Sequence, residues 1–147
     1  MKTPHLCLPL IALVLIGCTS APKRPGVDAP LPPCGALPNC VNSHSGTGGR
    51  AIAPLQATAN QWLELKRYLA TQDNWTITLE ADNFLQAEVK TPLMRFRDDV
   101  QLLYNEQTGE IQVRSSSRLG ISDMGTNRRR VESLRGHLTG AAASSAH

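Results

Sequence analysis

Trp75-Thr76-Ile77-Thr78-Leu79-Glu80-Ala81-Asp82-Asn83-Phe84-Leu85-Gln86-Ala87-Glu88-Val89 is the stretch whose reading decides the fold. Trp75, Ile77 and Leu79 alternate with Thr76, Thr78 and Glu80. After Ala81-Asp82-Asn83 the apolar positions resume at Leu85, Ala87 and Val89. Side chains of a strand point alternately to opposite faces, so this period of two predicts two half-buried strands joined by a turn. Setting Leu79 opposite Leu85 brings Ile77 opposite Ala87 and Trp75 opposite Val89, with Asn83 suited to a left-handed turn position.

Pro92 breaks the run, and a second hairpin follows. Phe96, Asp98, Val100, Leu102 and Tyr104 share one face, and Ile111, Val113 and Ser115 return after Asn105 to Glu110. Opposing Tyr104 to Ile111 places Leu102 against Val113 and Val100 against Ser115. Upstream, 54–71 reads as a helix, with Thr58 and Gln61 as a capping box and Ala59, Trp62, Leu65 and Leu69 as its apolar stripe. Downstream, Met124, Val131, Leu134 and Leu138 mark a closing helix from about Asp123. The order helix, four antiparallel strands, helix predicts an α+β domain over 34–138. Both helices should cover one face of a four-stranded sheet, because a single apolar face needs burial.

The flanks differ in composition. Residues 1–17 read as a secretory leader: Lys2 supplies an early positive charge, and Leu6 to Ile16 is an apolar stretch too short to span a bilayer. It ends in Leu15-Ile16-Gly17-Cys18, a lipobox-like sequence in which the Cys18 thiol would receive diacylglycerol before the leader is cut. An ordinary cleaved leader with a coincidental cysteine is the alternative. Two or three acyl chains would hold the protein stably on a membrane surface. Thr19, rather than Asp, after the cysteine suggests outer-membrane sorting by analogy with enteric bacteria, which places the protein in the bacterial cell envelope facing the periplasm. Residues 18–33 contain Pro22, Pro25, Pro30, Pro32 and Pro33 and are expected to form an extended tether. The Ala/Ser-rich 139–147 is expected to be a disordered tail.

A chain of 147 residues excludes a large multidomain enzyme. With 18% charged residues and 15 Lys+Arg against 12 Asp+Glu, it is neither a charged disordered chain nor a nucleic-acid-binding tail. Cys7 leaves with the leader and Cys18 is taken by lipid, so Cys34 and Cys40 remain in an oxidising compartment, where a disulfide is expected. His44 completes a Cys-x5-Cys-x3-His set. No fourth ligand is in sight, so no metal is assigned.

The densest chemistry lies between Arg114 and Arg135, which holds six arginines, no lysine and the two acids Asp123 and Glu132. Guanidinium pairs bidentately with carboxylate or phosphate. Gly120 and Gly125 allow close backbone approach, and a helix starting near Asp123 would offer free N–H groups to an anion. One reading is therefore a pocket for an anionic ligand: a small molecule, a lipid headgroup or an acidic group of an envelope protein partner. The other is a buried network. Asp98 falls on the apolar face of its strand and needs a partner. Arg118 or Arg130 can supply it, while Asp123 caps the helix and Asn127 ties down the loop. Asp98 and Asp99 alternate across a strand and cannot work as a paired acid and base. Ser115, Ser117 or Ser122 with His44 or His137 would make a triad only by assertion, which leaves a serine-dependent hydrolase or transferase using Ser117 or Ser122 as a further alternative, and no cofactor motif is present.

Three stretches carry a family resemblance. Pro38-Asn39-Cys40-Val41, with Cys34 upstream, Arg95-Phe96-Arg97-Asp98-Asp99-Val100, and Arg114-Ser115 through Ser117-Arg118-x-Gly120-x-Ser122-Asp123-x-Gly125-x-Asn127-Arg128-x-Arg130-Val131-Glu132 resemble the domain-of-unknown-function (DUF) 1499 family. The departures, Gly35 where that family often has Pro and Asn42 where it often has Ser, touch only the cysteine loop. The resemblance implies a small envelope or plastid protein and brings no catalytic residues with it. The expected function is a lipid-anchored, non-catalytic module that binds an anionic ligand or a protein partner. Its candidate residues are Asp98, Asp99, Arg114, Ser117, Arg118, Ser122, Asp123, Asn127, Arg128 and Arg130. The alternative is an assembly module whose arginines only satisfy buried acids.

Overall fold

A computed structural model describes residues 29–144, with side chains described to residue 140. The expected leader, Cys18 and the tether up to residue 28 lie outside the described residues. The elements in chain order are β1 (Cys40–Asn42), a 3-10 turn (Gly48–Arg50), β2 (Leu55–Gln56), α1 (Ala59–Ala70), β3 (Trp75–Ala81), β4 (Phe84–Lys90), β5 (Arg97–Asn105), β6 (Glu110–Ser117) and α2 (Thr126–Ser144). The class is α+β. The sheet is six-stranded rather than four-stranded, in the order β1-β6-β5-β4-β3, and β2 also pairs with β6; every ladder is antiparallel.

The two extra strands are too short for a pattern to reveal. β1 spans only the cysteine-loop residues, and β2 falls inside the stretch expected to begin the first helix. That helix starts later because Thr58 is extended (φ −72°, ψ 166°) and closes a capping box with Gln61. Ala57 N–H donates instead to Gly109 O at 2.8 Å, which pins β2 to the β5–β6 turn. Gly109 suits this place: its φ is +69°, and a Cβ there would sit 3.1 Å from Ala57 O. Within α1 the buried positions are Trp62, Leu65 and Leu69, while Ala59 is exposed.

The β5–β6 register agrees with the alternation: Val100 faces Ser115, Leu102 faces Val113 and Tyr104 faces Ile111. In the first hairpin Trp75 faces Val89 and Ile77 faces Ala87, but Leu79 faces Gln86 rather than Leu85. The tight turn pairs Ala81 with Phe84, so the odd residue is absorbed as a bulge between Ile77 and Leu79. Leu79 is consequently 46% exposed. Trp62 Nε1 donates to Asp82 O at 2.8 Å, so α1 holds this turn, and Asn83 is not left-handed. Phe96 lies outside β5 and is 42% exposed. The segment 91–96 closes on itself instead, through Thr91 N to Phe96 O at 2.9 Å and Arg95 N to Thr91 O at 3.0 Å.

Both helices cover one sheet face. Trp62, Leu65 and Leu69 of α1 and Val131, Leu134 and Leu138 of α2 form one buried cluster with Val41, Val89, Val100, Leu102, Ile111 and Val113. On the opposite face Asn42, Arg114, Gln101 and Gln86 stand in register across four strands. Gln101 donates to Gln86 at 2.8 Å, and Asn42 Nδ2 donates to Pro32 O at 2.8 Å. Leu31 is buried, so the end of the expected tether belongs to the folded unit. At the other end α2 continues through Ser144, where a disordered tail was expected from 139.

Candidate functional site

Strand alternation divides the expected site. On the helix-covered face, Asp98 is 1% exposed, and its Oδ2 accepts from Arg130 Nη2 at 2.5 Å. Arg130 Nη1 also donates to Ser115 Oγ (2.9 Å) and Asn127 Oδ1 (2.7 Å). Asn127, fully buried, accepts from Ser115 Oγ at 2.7 Å and donates through Nδ2 to Asn39 O (2.9 Å) and Ser117 Oγ (3.2 Å). Asp123 caps α2: its Oδ2 accepts from Asn127 N at 2.7 Å and its Oδ1 from Gly125 N at 3.2 Å. One network therefore joins Asn39, just before β1, to β5, β6 and the start of α2.

Asp99 points to the other face. Arg118 meets it bidentately, Nε to Oδ2 at 2.9 Å and Nη2 to Oδ1 at 2.7 Å, and also contacts Glu88 at 3.0 Å. That hydrogen bond, with the charges of Asp99 and Glu88, holds the Arg118 guanidinium above its usual range despite partial burial. Arg114 lies on the same face and donates to Ser116 Oγ at 2.8 Å, while its Nε is buried without a partner. Burial pushes the Arg114 guanidinium down, against the opposing charge of Asp99.

The remaining candidates stand apart. Arg128 donates to Gly49 O (3.1 Å) and Ala51 O (2.6 Å), holding the glycine-rich loop. Arg129 donates to Met124 O, and Arg135 to Pro54 O and Ala53 O. Ser122 Oγ accepts from Met124 N at 3.2 Å. His137 stacks on Tyr68 at 3.8 Å, and among the described residues no histidine hydrogen-bonds a serine. Cys34 and Cys40 are joined as a disulfide, so neither thiolate is free for a metal.

The arrangement leaves a cleft of about 900 Å³ over the inner network. Asp98, Ser117 and Arg130 line its floor, Leu69, Trp75 and Val89 its walls, and the segments 91–96 and 119–124 its mouth. Asp98 Oδ1 has no hydrogen-bond partner. The mouth is apolar and exposed: Leu93 (90%), Met94 and Phe96 line it on one side and Leu119 and Met124 (87%) on the other, while Ile121 (77%) belongs to the second segment outside the lining. Each segment contains one non-glycine residue in left-handed backbone, Arg95 (φ 51°) and Met124 (φ 49°).

Sequence reasoning named the floor of this cleft and, in Ser122 and Asp123, part of its mouth, but missed the segment 91–96. The available signal was Thr91-Pro92-Leu93-Met94-Arg95-Phe96, an apolar run that Pro92 bars from a strand interior. Asn39, Ser115 and Glu88 were likewise missed as network members.

No curated protein and no solved structure shows a significant match. The family model described as "Protein of unknown function (DUF1499)" matches residues 30–138, which span nearly all of the folded unit. The chain belongs to the DUF1499 family.

Proposed function

We propose that the chain is a lipoprotein of the bacterial cell envelope, anchored through Cys18 to the periplasmic side of the outer membrane. Its domain binds a small amphipathic ligand without catalysis. The observation that carries the reading is Asp98, a buried carboxylate that lines an apolar-walled cleft and keeps one oxygen, Oδ1, without a partner. A buried acceptor left unpaired is costly, and a ligand donor would relieve that cost. The volume suits a small-molecule site.

The floor chemistry favours a ligand headed by a hydroxyl or ammonium group with an apolar body. An anionic head would meet the Asp98 carboxylate, and Arg130 is already occupied by Asp98, Ser115 and Asn127. The anionic ligand expected from arginine density therefore has less support than a donor-headed amphipath. A second reading, an assembly module with a purely structural network, is favoured by the internal acceptors that hold Arg118, Arg128 and Arg130.

The test is a thermal-shift series on the protein with long-chain alcohols, long-chain amines and fatty acids. Alcohols or amines should raise the melting temperature, and ligand at a hundredfold its Kd stabilises by about 2.7 kcal/mol. A Ser133→Trp substitution, which fills the cleft from an exposed position of α2, should abolish the shift. No shift with any of the three classes removes this reading and leaves the assembly module.

A further inference from the structure

We infer that the two segments at the cleft mouth form a membrane-docking edge that inserts into the headgroup region of an anionic bilayer. The edge consists of Leu93, Met94 and Phe96 on one side and Leu119, Ile121 and Met124 on the other, all exposed. Exposed apolar side chains clustered at one end of a domain and rimmed by charge mark a membrane or partner surface.

Charge selects the bilayer. The stretch 90–97 contains Lys90, Arg95 and Arg97 and no acid; Arg97 is paired with Glu88 at 3.2 Å, so Lys90 and Arg95 carry the charge. Across the mouth, Arg129 adds a further cation, and the single acid of 119–125, Asp123, is spent on the backbone of α2. Apolar tips backed by lysine and arginine suit an anionic leaflet: the tips enter the acyl boundary while the cations stay at the phosphates. The apolar groups sit on two separate projecting segments flanking an open cleft, a shape that suits a deformable lipid surface. The expected anchor at Cys18 would keep that surface within reach. Docking of the mouth does not require the cleft to be filled, so it stands or falls separately from ligand binding.

The test uses the full chain reconstituted into vesicles of phosphatidylethanolamine and brominated phosphatidylglycerol, with single tryptophans added by Leu93→Trp, Ile121→Trp and Gln107→Trp. All three positions are exposed, so the variants should fold, and coincident melting curves check this. Gln107, in the β5–β6 turn at the far end of the sheet, is the control. After subtraction of the signal of the unsubstituted protein, which holds Trp62 and Trp75, the added tryptophan at 93 and 121 should be quenched about twofold by the brominated lipid and at 107 hardly at all. Substituting brominated phosphatidylcholine for the brominated phosphatidylglycerol, or raising the salt, should weaken the quenching, because the cations are then screened or unmatched. Equal quenching at 93 and 107 overturns the inference. So does a blue-shifted but unquenched signal at 93 and 121, which would show the mouth covered by protein, whether a second copy or the chain's own N-terminal segment.

Discussion

Asp98 and Asp99, consecutive on β5, are neutralised on opposite faces of the sheet by different arginines. Asp98 meets Arg130 on the helix-covered face at 2.5 Å, and Asp99 meets Arg118 on the other face at 2.7 Å. Alternation along a strand makes this unavoidable. It turns one acidic dipeptide into two clasps, one to α2 and one to the segment following β6.

The inner clasp should behave as a buried ion pair. Asp98→Ala leaves the Arg130 charge without its carboxylate and should destabilise the protein by about 3–5 kcal/mol. Arg130→Ala should do the same, while the double substitution should cost much less than the sum. Urea denaturation of the four proteins measures the coupling, and additive losses would show that the pair is not a unit.

The outer clasp depends on guanidinium geometry. Arg118→Lys keeps the charge but cannot make the two parallel bonds to Asp99 while also reaching Glu88. The expected loss is about 1–3 kcal/mol, nearly as large for Lys as for Ala. Full stability of the lysine variant would show that only net charge matters there.

Asp123→Ala removes the cap from α2 and should cost about 0.5–2 kcal/mol. Faster amide hydrogen exchange should be confined to the entry of α2, at Gly125 just before it and Asn127 in its first turn. Asp123→Asn should restore much of the loss, because an amide oxygen still accepts a cap bond.

The Cys34–Cys40 disulfide closes a short loop, with a sequence separation of 6. Chain-entropy reasoning assigns such a loop about 2 kcal/mol. Replacing both cysteines with serine should lower stability by no more than that. Added exchange should appear in 34–40 and at Ser117, whose N–H donates to Asn39 O at 2.9 Å. Global unfolding would contradict a purely local pin.

Wherever one local rule governed, the sequence was legible. Val100, Leu102 and Tyr104 found their partners because period-two alternation on a half-buried sheet leaves one register. Thr58 and Gln61 marked the true start of α1, although Pro54 had suggested an earlier one. Leu79 was misplaced because the turn at Asp82-Asn83 is set by Trp62, from another element, and alternation carries no sign of a bulge.

The sequence by itself determined the α+β class, the two hairpins, the disulfide and the need of Asp98 for a cationic partner, since each follows from local periodicity, a cysteine count or the cost of burying a charge. Only the tertiary structure decided that Arg130 answers Asp98 while Arg118 answers Asp99 and Glu88, that β1 and β2 extend the sheet, and that segments 91–96 and 119–124 face each other across a cleft. Those relations join residues far apart in the chain, and which arginine reaches which face depends on where β6 ends and where α2 crosses the sheet.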